Sequence, residues 1–184
     1  MDSATRDWDA SSYHRVSIPH EEWAASILER LPLDGGETVL DAGCGSGRAT
    51  SMLVDRLPRG RVIAVDGSAS MVAKVTAVLR PVDRAQVADL TELKLDEPVD
   101  AIFSSAVFHW IADHGLLFRR LHAMLRPGGL LAAQCGGARN IERLRRIADE
   151  VAASEPFVDA VLATEPEPLT LEYVRLNIEA RAAT

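Results

Sequence analysis

The chain is 184 residues long, carries a formal net charge of −7, and is 47% hydrophobic and 26% charged, which fits one domain able to bury an ordinary core. That acidity excludes a general affinity for nucleic acid, which rests on neutralising phosphates with Lys and Arg, and no apolar stretch approaches the roughly 18 to 20 residues that span a bilayer. Cys44 and Cys135 lie far apart with no metal-ligand or CxxC spacing, so they read as reduced thiols of a cytoplasmic protein, and the polar start "MDSATRDWDA" reads as neither a signal nor a transit peptide.

Along the chain, short aliphatic runs alternate with segments of helical period, the sequence sign of β-α units around a parallel sheet. Trp23, Ile27, Leu28 and Leu31 predict an amphipathic helix that covers one sheet face. The first strand follows at "TVLDA" (38–42). Met52, Leu53 and Leu57 then share a helical face closed by Pro58, and "RVIAVD" (61–66) is the second strand. Met71, Val75, Val78 and Leu79 mark the next helix, closed by Pro81. "AQVADL" (85–90) and "DAIFSSA" (100–106) are the third and fourth strands, and both read as covered on two faces. Leu117, Leu121, Met124 and Leu125 predict a helix capped by Asp113, with "RPGG" (126–129) as stop and turn before the fifth strand at "GLLAAQC" (129–135). Ile141, Leu144, Ile147 and Val151 predict one more helix. The tail holds "EPEP" and then a helix carrying Leu171, Val174 and Ile178. The fold class is therefore α/β, a Rossmann-like, doubly wound and mostly parallel sheet with helices on both faces, and no C-terminal hairpin is evident. In such a sheet ligands bind at the carboxyl edge, at the switch in strand order.

That edge carries the "DAGCGSG" turn. Gly43, Gly45 and Gly47 follow a strand and open a helix, so the turn can be tight and its backbone N–H groups can meet a ligand. A dinucleotide site wants GxGxxG, whereas the spacing here is GxGxG. Asp41, two residues ahead, would face a phosphate with like charge and a cationic group with opposite charge, so a ligand bearing an ammonium and a sulfonium suits the turn better. Asp66, ending the second strand, can accept both hydroxyls of a ribose or cap the following helix with Ser68. Met71 can lie on an adenine face or in the core, and Asp89 can accept from an adenine amino group or stand as a solvated charge.

Together "VLDAGCGSG", "VIAVDGSASM", "ADL", "FSSAVFHW" and "LRPGGLLAAQ" resemble the class I S-adenosylmethionine-dependent methyltransferases, in order and with ordinary gaps, over residues 8–153. The N-terminal "WDASSY" and the aromatic "AVFHW" are most similar to the trans-aconitate and malonyl-carrier-protein methyl ester methyltransferases. The resemblance implies a cofactor, S-adenosyl-L-methionine. It implies that Asp41, Gly43, Cys44 and Gly45 hold the methionine part, that Asp66 beside Gly67 takes the ribose, that Met71 and Leu90 flank the adenine, that Asp89 takes its amino group and that Ser105 lies near the sulfonium. Trp8 and Tyr13 would belong to a lid over cofactor and acceptor.

The expected organisation is a lid segment (1–20), a methyltransferase core (21–153) and a divergent or truncated tail (154–184). The expected reaction is methyl transfer to a small-molecule acceptor, a carboxylate oxygen first of all, with neither nucleic acid nor membrane as partner and with no metal. A carboxylate needs no base, and no catalytic side chain is assigned. For an alcohol, amine or carbon acid, His109 would be the first candidate, and His109 and Trp110 either meet the acceptor or simply pack the loop. Arg15 and Arg139 could clamp an acidic acceptor. Two other readings share these residues: a cofactor-binding module that has lost catalysis and acts through a partner, and an NAD-dependent oxidoreductase, which GxGxG, Asp41 and the lack of a Tyr/Lys pair disfavour.

Overall fold

The computed structural model describes residues 19–137 and 175–183. The chain divides into two compact units, one of Met1–Cys135 with Asn177–Thr184 and one of Gly136–Leu176; the sheet and everything below belong to the first. The elements in order are α1 (Pro19–Leu28), β1 (Thr38–Ala42), α2 (Arg48–Arg56), β2 (Arg61–Asp66), α3 (Ala69–Val75), β3 (Arg84–Val87), β4 (Val99–Ser105), α4 (His114–Met124), β5 (Leu125–Gly136) and β6 (Arg175–Arg181). They build one six-stranded sheet in the order β3-β2-β1-β4-β5-β6. The β1–β2, β1–β4, β2–β3 and β4–β5 pairs are all parallel. Strand order therefore reverses between β1 and β4, the switch point at which a ligand crevice opens.

Alternation along the strands feeds two cores. Val39, Ala101, Phe103 and Ala132 pack with Ile27 and Leu28 of α1, Leu53 of α2 and Val75 of α3. Leu40, Ala42, Ile102, Leu131 and Ala133 pack on the opposite face with Leu117, Leu121 and Met124 of α4. Successive residues point to opposite faces of a strand, so continuous aliphatic runs are what a doubly covered sheet needs. Proline closes α2 as expected, and Asp113 caps α4 by accepting from the Leu116 N–H at 2.7 Å. Among the described residues no helix is long and apolar enough to cross a membrane.

Three elements differ from the sequence reading. β3 is not covered on both faces: it is the outer strand, it ends at Val87, and of its four residues only Ala85 is partly buried. Residues 88–90 leave the sheet, and Leu90 turns into the second core. The "RPGG" stretch stops α4 but is not a free turn, because the β4–β5 register steps from Val99↔Leu125 to Ala101↔Leu130 and the intervening residues bulge from the strand. Finally, the tail supplies a strand where a helix was expected. Leu176, Ile178 and Ala180 alternate with Asn177, Glu179 and Arg181, a period of two that outweighs the three-to-four spacing of Leu171, Val174 and Ile178, and Ile178 packs on the second core.

β6 runs antiparallel to β5. The Gly128 N–H donates to the Ala182 carbonyl (3.1 Å) and the Ala182 N–H to the Gly129 carbonyl (2.9 Å), while Gln134 Nε2 donates to Asn177 Oδ1 (2.8 Å). The bulge is what presents Gly128 and Gly129 to the tail. The edge of β5 is thus covered by β6, a tail strand that the sequence reading did not find. The helix predicted around Ile141–Val151 and the "EPEP" segment lie outside the described residues.

Candidate functional site

Asp41, Gly43, Cys44, Gly45, Asp66, Gly67, Ser105 and the 106–110 turn all stand at or beyond the carboxyl ends of β1, β2 and β4. The glycines answer to different constraints. Gly43, Gly45 and Gly47 adopt φ of +85°, +52° and +96°, the left-handed region, where a side chain costs roughly 1–2 kcal/mol. A Cβ at Gly43 would stand 2.7 Å from Val107 Cγ1 and nearer still to Cγ2, whereas a Cβ on Gly45 would meet no atom within 4 Å. Gly43 is therefore required by the protein's own packing. The space over Gly45 is open, beyond the carboxyl end of β1 at the switch point.

The loop amides do not point at that space. The Gly43 and Cys44 N–H groups both donate to the Val65 carbonyl, at 2.8 and 3.0 Å, which continues the β1–β2 pairing past the strand end. The Gly45 N–H donates to Asp66 Oδ2 at 2.9 Å. The expectation that the turn aims its N–H groups at a ligand is thus corrected: these three are already committed, and an anion cradle built from them is absent.

Two carboxylates stand close to the turn in different surroundings. Asp66 ends β2, half-buried, and its other oxygen accepts from the Ser68 N–H at 2.9 Å, while Ser68 Oγ caps α3 by accepting from the Met71 N–H at 3.4 Å. Asp66 thereby organises both the glycine loop and the start of α3. Asp41 is 1% exposed and accepts from Thr50 Oγ1 at 2.6 Å. Burial pushes its carboxyl up to about 7; the Thr50 hydrogen bond opposes the rise and the negative charge of Asp66 adds to it. Cys44, buried in the same loop, has its thiol raised far above the ordinary range, first by burial and then by Asp41 and Asp66. It is no nucleophile, since the thiolate is the reactive form. The cluster is thus acidic, and positive charge on a ligand is what it lacks.

Across the switch point, Ser104 Oγ donates to the Ala42 carbonyl at 2.7 Å and ties β4 to β1 beyond their ladder. Ser105 follows, half-buried and in register with Gln134. Ala106 has φ +61° and its N–H donates to the Gln134 carbonyl at 2.7 Å; this non-glycine left-handed residue turns the chain so that Val107 lands on Gly43. His109 and Trp110 follow with ring centroids 4.9 Å apart, and Trp110 is 65% exposed.

The remaining expected residues spread more widely. Met71 is buried at the start of α3, and Leu90 is a core residue. Asp89 is exposed beyond β3, its Oδ1 accepting from the Thr91 N–H and hydroxyl, both at 2.7 Å. Trp8, Tyr13, Arg15 and Arg139 lie outside the described residues. Sequence reasoning missed Thr50, Ser104, Ala106 and Val107. Thr50 carries a signal, a hydroxyl on the first turn of the helix that follows a strand with Asp at its penultimate position. Val107 carries none, because its importance exists only against Gly43. Among the described residues no three His, Cys, Asp or Glu side chains gather as a metal site.

Residues 40–133 match a family model described as a methyltransferase domain. The chain is 42% identical over 127 residues to a trans-aconitate 2-methyltransferase of Azoarcus sp., which covers 69% of this chain and 50% of that protein. It is 35% identical over 156 residues to a trans-aconitate 2-methyltransferase of Variovorax paradoxus, covering 84% and 60%. Among solved structures it resembles an S-adenosylmethionine dependent methyltransferase from Mesorhizobium loti, with a TM-score of 0.57, 29% identity and coverage of 66% of this chain and 56% of that one. The chain thus spans about half to three-fifths of the length of the curated relatives it matches.

Proposed function

This chain belongs to the methyltransferase domain family, and on that premise we propose that it binds S-adenosylmethionine at the Gly45 hollow and methylates a carboxylate oxygen of a small acid. The observation that carries the reading is the charge and shape of the turn. Its first three amides are taken up internally, two carboxylates flank it, and the space over Gly45 is open. A diphosphate would meet like charge there and find the Gly43, Cys44 and Gly45 amides already engaged. A cationic amino-acid nucleoside meets opposite charge. The names of the curated relatives support an acidic acceptor.

When bound, S-adenosylmethionine supplies a methyl group on a sulfonium, already a strong electrophile. The chain's residues then hold, align and exclude water. Asp41 and Asp66 offset the ligand's positive charge, and Asp66 can also accept from ribose hydroxyls on the lone pairs left free by the Gly45 and Ser68 amides. Ser105 and the 106–110 turn border the opposite wall. Orientation of reacting groups in this way contributes on the order of 7–11 kcal/mol. A carboxylate acceptor is ionised at neutral pH and needs no base, and His109 is the first candidate for any acceptor that must lose a proton.

Calorimetric titration with S-adenosylmethionine, S-adenosylhomocysteine and NAD tests the reading: the sulfur compounds should bind and NAD should not. Tight binding of NAD alone would overturn it, and turnover with a panel of small acids, trans-aconitate included, tests the acceptor class. Asp66→Ala should weaken S-adenosylhomocysteine binding roughly 10- to 100-fold, because it removes hydrogen bonds to a charged group worth about 1.5–3 kcal/mol. A folded variant with unchanged affinity counts against the ribose role. Gly45→Ala should keep the fold, losing only about 1–2 kcal/mol to its left-handed backbone, yet forfeit binding because its methyl fills the hollow; retained affinity in that variant would move the ligand elsewhere.

A further inference from the structure

The 106–110 turn is fixed to β5 through its first residue. The Ala106 N–H donates to the Gln134 carbonyl at 2.7 Å. The turn closes on itself through the Trp110 N–H and the Val107 carbonyl at 2.9 Å. Its contact with the glycine loop is different in kind: the isopropyl group of Val107 occupies the volume that a side chain on Gly43 would need. Gly43 is two residues from Gly45, whose amide is held by Asp66, and Val107 is two and three residues from His109 and Trp110. Any displacement of the glycine loop toward the turn would therefore meet Val107 first. Ala106, at φ +61°, makes the left-handed turn that brings Val107 there.

We propose that Val107 is a positioning residue: seated on Gly43, it makes the glycine loop and the 106–110 turn move together, so that filling the cofactor hollow sets His109 and Trp110 against the acceptor. Shape complementarity carries the coupling, since packed side chains move as units and resist continuous deformation. The inference rests on the function proposed above.

The test uses the chain with Trp8→Phe and Trp23→Phe, which leaves Trp110 as the single tryptophan. S-adenosylhomocysteine should change Trp110 emission along the same isotherm that calorimetry records. In that background Val107→Ala should shift the affinity for S-adenosylhomocysteine by less than about threefold but remove at least half of the emission change, because the cavity it leaves uncouples turn from loop. Val107→Ile, which keeps the bulk over Gly43, should restore the response. A purely structural role would lower affinity and stability together and leave the response per bound ligand intact. Amide hydrogen exchange on the unmutated chain reads the same coupling without a variant: S-adenosylhomocysteine should slow exchange at 107–110 together with 43–45. A full emission response in Val107→Ala, or exchange slowed at 43–45 alone, overturns the coupling while the proposed function stands. Failure of the unmutated chain to bind S-adenosylhomocysteine overturns both.

Discussion

Gly43→Ala should unfold roughly 10 °C below the parent chain and lose ligand binding, the largest effect expected of any single methyl group at this site. Two penalties add. The backbone at φ +85° costs a side chain roughly 1–2 kcal/mol, and a Cβ there overlaps the branched end of Val107, overpacking worth about 1–3 kcal/mol. Their sum, about 3 kcal/mol, corresponds to a melting shift of about 2–4 °C per kcal/mol for a chain of this length. The overlap has a partial cure, since alanine at 107 removes both Cγ atoms and keeps only the Cβ at 2.9 Å. Val107→Ala placed on Gly43→Ala should recover about 1–2 kcal/mol, whereas on the parent it destabilises, and contacting residues show coupling of this size in double-mutant cycles. Thermal unfolding of the four chains by circular dichroism measures it. Additive losses would mean that Val107 is not seated on Gly43.

Stability should fall as pH rises through the range set by Asp41. Its carboxyl sits at about 7 in the folded chain against 3.8 for an ordinary aspartate. Below the lower value both states hold the proton and nothing is lost. Between the two, the folded chain keeps a proton that the unfolded chain has released, so each rise in pH favours unfolding. Above about 7 the penalty is complete and constant. At 1.36 kcal/mol per unit it amounts to about 4 kcal/mol. Asp41→Asn keeps an acceptor for the Thr50 hydroxyl and removes the titration, so its denaturant midpoint should be nearly flat over the same range. The ligand reads the same group with opposite sign: a cationic cofactor favours ionised Asp41, so its affinity should climb as pH rises toward neutrality and level off above it. Parallel pH profiles for parent and Asp41→Asn would remove Asp41 from both roles.

The parts of this fold legible in the sequence are those whose physics is local. Val39, Leu40, Val62, Ala64, Ile102 and Phe103 are aliphatic or aromatic whichever face they point to, because both faces are covered. The Asp113 cap needs only its own next three residues. β3 misled because an apolar run says nothing about how many neighbours a strand has, and strand order alone decides that "RAQV" is an edge. β6 misled because seven residues fit both periods, and the choice was made by the bulge at Arg126–Gly129, which offers backbone partners to Ala182. At the site, the glycines and acids are legible as types, but not which amides are free. Val65 and Asp66 take up those of Gly43, Cys44 and Gly45 through pairing between strands, and no spacing rule encodes that.

The closure of β6 on β5 carries a consequence for how the chain can be shortened. β5 ends at Gly136 and β6 begins at Arg175, and the Gln134–Asn177 side-chain bond joins the two strands near those ends, while Ala182 holds the other end through Gly128 and Gly129. An unpaired strand edge is a template for association with another chain. A chain shortened to end before β6 should therefore be more prone to aggregate than one that keeps it.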